Sequence, residues 1–201
     1  MGTMADESGV GVPADEAGEV RTRKLDPEAE ARRRLALAQI RQYPDPVLRM
    51  QAREVQEFDG DLEKLVERLQ HLLREATGLG LAATQIGVLR RVFVFLPDPE
   101  AEPVALVNPH FSATSEERES DTEGCLSLQG VVIPVERHTS LTLEGKSPTG
   151  EDVRLELDGL PARVAQHELD HLDGVLILDR TTPDARREAL GLLRPHPAIV
   201  R

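Results

Sequence analysis

From Asp61 onward, Leu62, Leu65, Val66, Leu69, Leu72 and Leu73 recur at three- and four-residue intervals, which places them on one stripe of an α-helix. Gly78 stands just past the last of them, where a helix end favours a residue free to turn left-handed. The pattern then changes period. RVFVFL at 91–96, VALVN at 104–108, VVIPV at 131–135, TSLTLEG at 139–145 and VRLELDG at 153–159 are short runs rich in β-branched and apolar residues, and they predict antiparallel strands. Lys146-Ser147-Pro148-Thr149-Gly150 is a turn cluster, so the last two runs predict a hairpin.

Helical spacing returns after Pro161, where ARVAQHELDHLDG carries Val164, Leu169 and Leu172 near one face and stops around Gly174. A last amphipathic stretch, PDARREALGLLRP, is bracketed by Pro183 and Pro195 and predicts a C-terminal helix. At the other end, PEAEARRRLALAQI begins on Pro27 and predicts a short N-terminal helix. Tyr43-Pro44-Asp45-Pro46 then forms a turn, because a residue before proline is pushed out of the helical region, and a loop reaches Asp59-Gly60. Residues 1–26 are acidic, rich in Gly and Ala, and lack a hydrophobic period, so a disordered extension without a catalytic role is expected there. The remainder, 27–201, reads as a single α+β domain, since 201 residues are too few for two separate cores.

Composition narrows the classes. With 39% hydrophobic and 30% charged residues and no apolar run long enough to span a bilayer, the chain is not expected to enter a membrane. The first residues lack the basic start and apolar stretch of a secretory signal, so a cytoplasmic location is expected. A net charge of -12 argues against general binding to nucleic-acid phosphates. Near the C-terminus, Arg180, Arg186, Arg187, Arg194 and Arg201 exceed Asp179, Asp184 and Glu188 by two, which reads first as a solvated face.

The chemistry is concentrated in His167-Glu168-Leu169-Asp170-His171. On a helix, histidines at i and i+4 project from one face, as two ligands of one ion would, and Glu168 beside the first can exchange protons with a bound water. The bland alternative is a pair of surface or capped core histidines. Proteases with these five residues take a third ligand downstream, where the sole histidine is His196 between two prolines. The single cysteine, Cys125 in EGCLSL, lies 42 residues upstream of His167 and offers a thiolate, although an isolated cysteine is also the kind of small residue that fills a core. A third segment, GLGLAATQIG at 78–87, combines small residues that permit close backbone approach with an amide donor at Gln85. It does not fit a phosphate loop or a dinucleotide fingerprint.

Taken together, GLGLAATQIG, EGCLSL and QHELDH, in that order, resemble the three motifs of the peptide deformylase family, and YPDPVLRMQAREVQEFD resembles its usual opening. The resemblance spans residues 37 to 180. It implies antiparallel strands packed around a central metal-binding helix, with a helix at each end. It implies that Cys125, His167 and His171 bind one divalent metal ion with water in the fourth position, and that Glu168 is the catalytic acid/base. It further implies Gln85 and the Leu126 N–H as oxyanion donors and Leu79-Gly80 as a substrate-binding segment. The metal so implied is Fe(II), with Zn(II) or Ni(II) as substitutes. The substrates are N-formylmethionyl nascent peptides, which would be met in the cytoplasm during a transient contact with the ribosome. Two other readings are a zinc endopeptidase built on the histidine pair, against which the upstream cysteine argues, and a non-catalytic metal-binding module, against which Gln85, Glu168 and Cys125 argue. A zinc deaminase lacks its paired cysteines.

Overall fold

In a computed structural model describing residues 26–98 and 101–193, the leucine stripe at 62–73 forms one face of a helix, Gly60–Ala76. Asp59 caps its start, its Oδ1 accepting from the backbone N–H groups of Asp61 and Leu62 at 3.1 and 3.0 Å. A shorter helix, α1 (Pro27–Leu37), is capped by Asp26 and packs on the first, which becomes α2. Of the extension expected to be disordered at 1–26, residues 1–25 lie outside the described residues and Asp26 caps α1; the chain from 194 onward also lies outside them.

Seven strands follow α2: β1 (Gly80–Ala82), β2 (Val92–Phe95), β3 (Val104–Thr114), β4 (Arg118–Gly124), β5 (Val132–His138), β6 (Ser140–Lys146) and β7 (Asp152–Asp158). Two helices close the described chain, α3 (Gly159–Leu172) and α4 (Pro183–Leu192). The strands make a five-stranded antiparallel sheet in the order β1-β2-β3-β6-β7 and a separate hairpin of β4 with β5. The fold is therefore the expected mixture of helices and antiparallel sheet.

The uninterrupted apolar run of β2 has a direct cause. Val92 and Val94 point to the cluster built on α2, while Phe93 and Phe95 point to the cluster built on α3, so both sheet faces are covered and every residue of β2 is buried. Burying a leucine such as Leu62, Leu69 or Leu73 fully is worth about 1.5–3 kcal/mol, and α2 contributes several. A third cluster joins Leu128, Val131, Ile133 and Val135 to Leu48, Leu176, Ile177, Leu178 and Ala189 around Cys125.

Three features depart from the sequence reading. Strand β4, RESDTEG, has no hydrophobic alternation; its pairing with β5, from Arg118 opposite His138 to Gly124 opposite Val132, makes it a strand. Strand β1 is three residues inside GLGLAATQIG, a segment for which no strand is predicted from the sequence. The left-handed residue ending α2 is Thr77, at φ 56° and ψ 40°, rather than Gly78. Among the described residues no helix is long and apolar enough to cross a membrane.

Candidate metal centre

Helix α3 brings His167 and His171 onto one face, as their four-residue spacing requires, with ring centroids 4.8 Å apart. Cys125 follows the last residue of β4 and reaches the same point from the hairpin side. Its Sγ lies 3.3 Å from His171 Nε2, which is 3.2 Å from His167 Nε2. All three donor atoms fall within 4.8 Å of one another.

These distances fit a metal site. Tetrahedral coordination with metal–sulfur bonds of about 2.3 Å and metal–nitrogen bonds of about 2.0–2.1 Å places adjacent donors about 3.3–3.6 Å apart. A cysteine sulfur and two imidazole nitrogens converge here, a donor set that suits a divalent metal ion. Burial opposes charge on His167, yet its hydrogen bonds to Cys125 and Glu123 and the negative charges of Cys125 and Glu168 hold it well above the ordinary imidazole range. His171 goes the other way, since burial and the positive charges of His167 and Arg137 hold it well below.

Glu168 is buried beside the ligands, and burial pushes its carboxyl up to about 7, against the positive charge of His167 and reinforced by Glu123. Its Oε2 has no hydrogen-bond partner among the described residues. Gly80 explains how the backbone after α2 comes so close: a Cβ at that position would stand 2.2 Å from Glu168 Oε1. Gln85 is held in one orientation because its Oε1 accepts from the Ala82 N–H at 2.8 Å, leaving its amide N–H groups toward Ser127 Oγ at 3.1 Å and Cys125 Sγ at 3.8 Å. The Ser127 N–H donates to Cys125 Sγ at 3.4 Å, and the Leu126 carbonyl accepts from Gln42 Nε2 at 2.9 Å. Leu79, Gly80, Gln85, Cys125, Leu126, His167 and Glu168 all line one cleft, and His171 lies behind it as the third donor.

Sequence reasoning missed the layer behind the ligands. Glu123 Oε2 faces His167 Nδ1 at 3.0 Å, which keeps the proton on Nδ1 and presents the Nε2 lone pair to the site. The same carboxylate accepts from Arg137 Nε and Nη2 at 2.9 and 3.0 Å and from Arg163 Nη1 at 2.9 Å. Burial alone would raise the Glu123 pKa; His167 and Arg137 instead hold it far below the carboxylate range. Asp170, between the histidines, accepts from Arg137 Nη1 and Arg180 Nη2, both at 2.6 Å, tying α3 to the hairpin and to the chain after it. Glu123 stands two residues before the cysteine, a proximity that could have marked it; nothing local marks Arg137. The cleft's apolar wall adds Leu160 and Val164, with Arg163 present through its stem because its guanidinium is engaged elsewhere.

Comparison with known proteins gives one consistent result. The family model described as polypeptide deformylase matches residues 37–187. The chain is 45% identical over 154 residues to the peptide deformylase of Desulforudis audaxviator, covering 77% of this chain and 99% of that protein. It is 44% identical to that of Acidothermus cellulolyticus, covering 80% and 87%. Among solved structures, peptide deformylase from Thermotoga maritima superposes with a TM-score of 0.69 at 42% identity, covering 72% of this chain and 97% of that one. The enzyme from Synechococcus elongatus in complex with actinonin gives 0.72 at 38% identity, covering 76% and 85%.

Proposed function

Given that this chain belongs to the polypeptide deformylase family, we propose that it removes the N-formyl group from the N-terminal methionine of newly synthesised proteins, releasing formate. The observation that carries the reading is the buried, unpartnered carboxylate of Glu168 beside the converging donors of Cys125, His167 and His171. A divalent ion held by those three residues would supply Lewis acidity and acidify water for attack on the formyl carbon. Glu168 would take a proton from the attacking water and deliver it to the leaving amine, a role for which a pKa near neutrality is suited. Gln85 and the Leu126 N–H donate to the oxyanion as it develops; losing one such donor typically costs about 3–4 kcal/mol of barrier. Leu79 and Gly80 flank the substrate, and the apolar cleft takes its methionine side chain.

We extend the proposal to Fe(II) as the physiological metal, because a thiolate and two imidazoles suit iron, zinc and nickel alike and the family resemblance favours iron. A cytoplasmic setting and a transient ribosome contact follow from the substrate, the N-terminus of a chain just made. Support for that contact does not extend to a free basic face, since Arg180, Arg186 and Arg187 pair with Asp170, Asp179 and Asp184. The position of the third ligand separates the reading from an endopeptidase. The test is formate release from a formyl-Met peptide, with metal content measured on the same sample. Glu168→Ala should keep the metal and lose about 100- to 10,000-fold in turnover; full activity in that variant would overturn the mechanism.

A further inference from the structure

The substrate-facing segment at Leu79 and Gly80 emerges from the turn that ends α2. Thr77 sits in that turn in the left-handed region, which a β-branched residue rarely adopts and which glycine or asparagine usually fills. Its N–H bonds to the Arg74 carbonyl, and the Gly78 N–H reaches the Leu73 carbonyl at 3.1 Å. Gly78 then packs so closely that a Cβ there would stand 2.8 Å from Leu126 Cδ1. Two residues on, Gly80 lies against Glu168. Moving this turn therefore moves the cleft wall toward or away from both Leu126 and Glu168.

Something outside the turn holds it. Arg33 of α1 donates from Nε to the Ala76 carbonyl and to Thr77 Oγ1, both at 3.2 Å, while the Thr77 hydroxyl donates to the same carbonyl at 2.7 Å. A cation at this place also meets the carbonyl end of α2, where the helix field favours positive charge. Helix α1 is seated by buried Ala36 and by Ile40 just beyond it, in the core cluster that α2 dominates. Arg32 pairs with Glu75 one residue away, at 3.3 Å, without touching the turn. Arg33 precedes the matched family region, which begins at residue 37.

We propose that Arg33 is a positioning residue for the deformylase reaction: by clamping the C-terminal end of α2 it fixes the left-handed Thr77 turn and, through it, the substrate-facing wall from Gly78 to Gly80. The inference rests on the proposed function, since it needs that wall to meet substrate.

The test compares full-length, metal-loaded wild type with Arg33→Ala, Arg33→Ala/Thr77→Gly and Arg32→Ala. Steady-state kinetics on a formyl-Met peptide, metal content, thermal stability and amide hydrogen exchange across residues 74–82 are read on each. Arg33→Ala should raise KM about fivefold and speed exchange at Thr77 and Gly78, with kcat and metal content near wild type. Glycine adopts the left-handed turn without strain, so adding Thr77→Gly should restore KM and slow exchange again. Arg32→Ala should match wild type. Unchanged KM in Arg33→Ala, even with lower thermal stability, overturns the inference, as does a double variant that regains stability without regaining KM. A wild-type protein that releases no formate would instead sink the functional reading, leaving the exchange measurement to decide whether the clamp exists.

Discussion

Replacing Glu123 by glutamine changes one buried oxygen into an N–H donor and removes one charge, with little change in shape. The native carboxylate serves four donors on two oxygens: Oε1 accepts from Arg137 Nε and Arg163 Nη1, and Oε2 accepts from Arg137 Nη2 and His167 Nδ1. A glutamine can keep its carbonyl on only one side. If the carbonyl faces the two arginines, the amide N–H groups meet Arg137 Nη2 donor to donor and oblige His167 to accept at Nδ1. That moves the imidazole proton to Nε2, the atom needed for the metal. If the carbonyl faces His167, Arg137 Nε loses its acceptor and Arg163 Nη1 keeps only the Val135 carbonyl, both in a buried setting.

Breaking a buried ion pair from one side costs about 3–5 kcal/mol, and disturbing a hydrogen bond behind a metal-bound histidine costs about 10- to 100-fold in affinity. Chemical denaturation of metal-free Glu123→Gln should show the first loss, and chelator competition on the loaded protein the second. The pH dependence supplies a sign. Because the folded pKa of Glu123 is depressed, its contribution is fully present above the unfolded value near 4.5 and is lost as pH falls below it toward the folded value. The stability gap between wild type and variant should therefore narrow as pH drops below that point. A variant with wild-type metal affinity and a loss under about 1 kcal/mol would refute the positioning role of Glu123.

Gly80→Ala should lower kcat on the order of 100-fold while leaving metal content unchanged, because its Cβ would displace the Glu168 carboxylate; kinetics and metal analysis on one sample check this. Cys125→Ser should weaken metal retention at least about 100-fold in chelator competition, and full occupancy with normal activity would remove Cys125 from the ligand set. Leu69→Ala, fully buried on α2, should cost about 2–5 kcal/mol in urea denaturation without altering metal affinity in the folded protein.

What the sequence determined by itself is local or motif-borne. The stripe of α2, the alternation of β7 and the i, i+4 spacing of His167 and His171 are set by the geometry of one element, so they can be read without knowing what lies across from it. That Cys125, Gln85 and Leu126 meet in one cleft was legible only because three motifs stood in one order. The tertiary structure decided the rest. Glu123 meets Arg137, Arg163 and His167 across 14, 40 and 44 residues of chain, through strand pairing and the packing of α3 on the hairpin. Strand β4 is a strand because β5 satisfies its backbone, and Thr77 rather than Gly78 turns left-handed where Arg33, 44 residues earlier, receives it. Such contacts leave no period in the sequence, because each depends on which surfaces are brought together and not on neighbours along the chain.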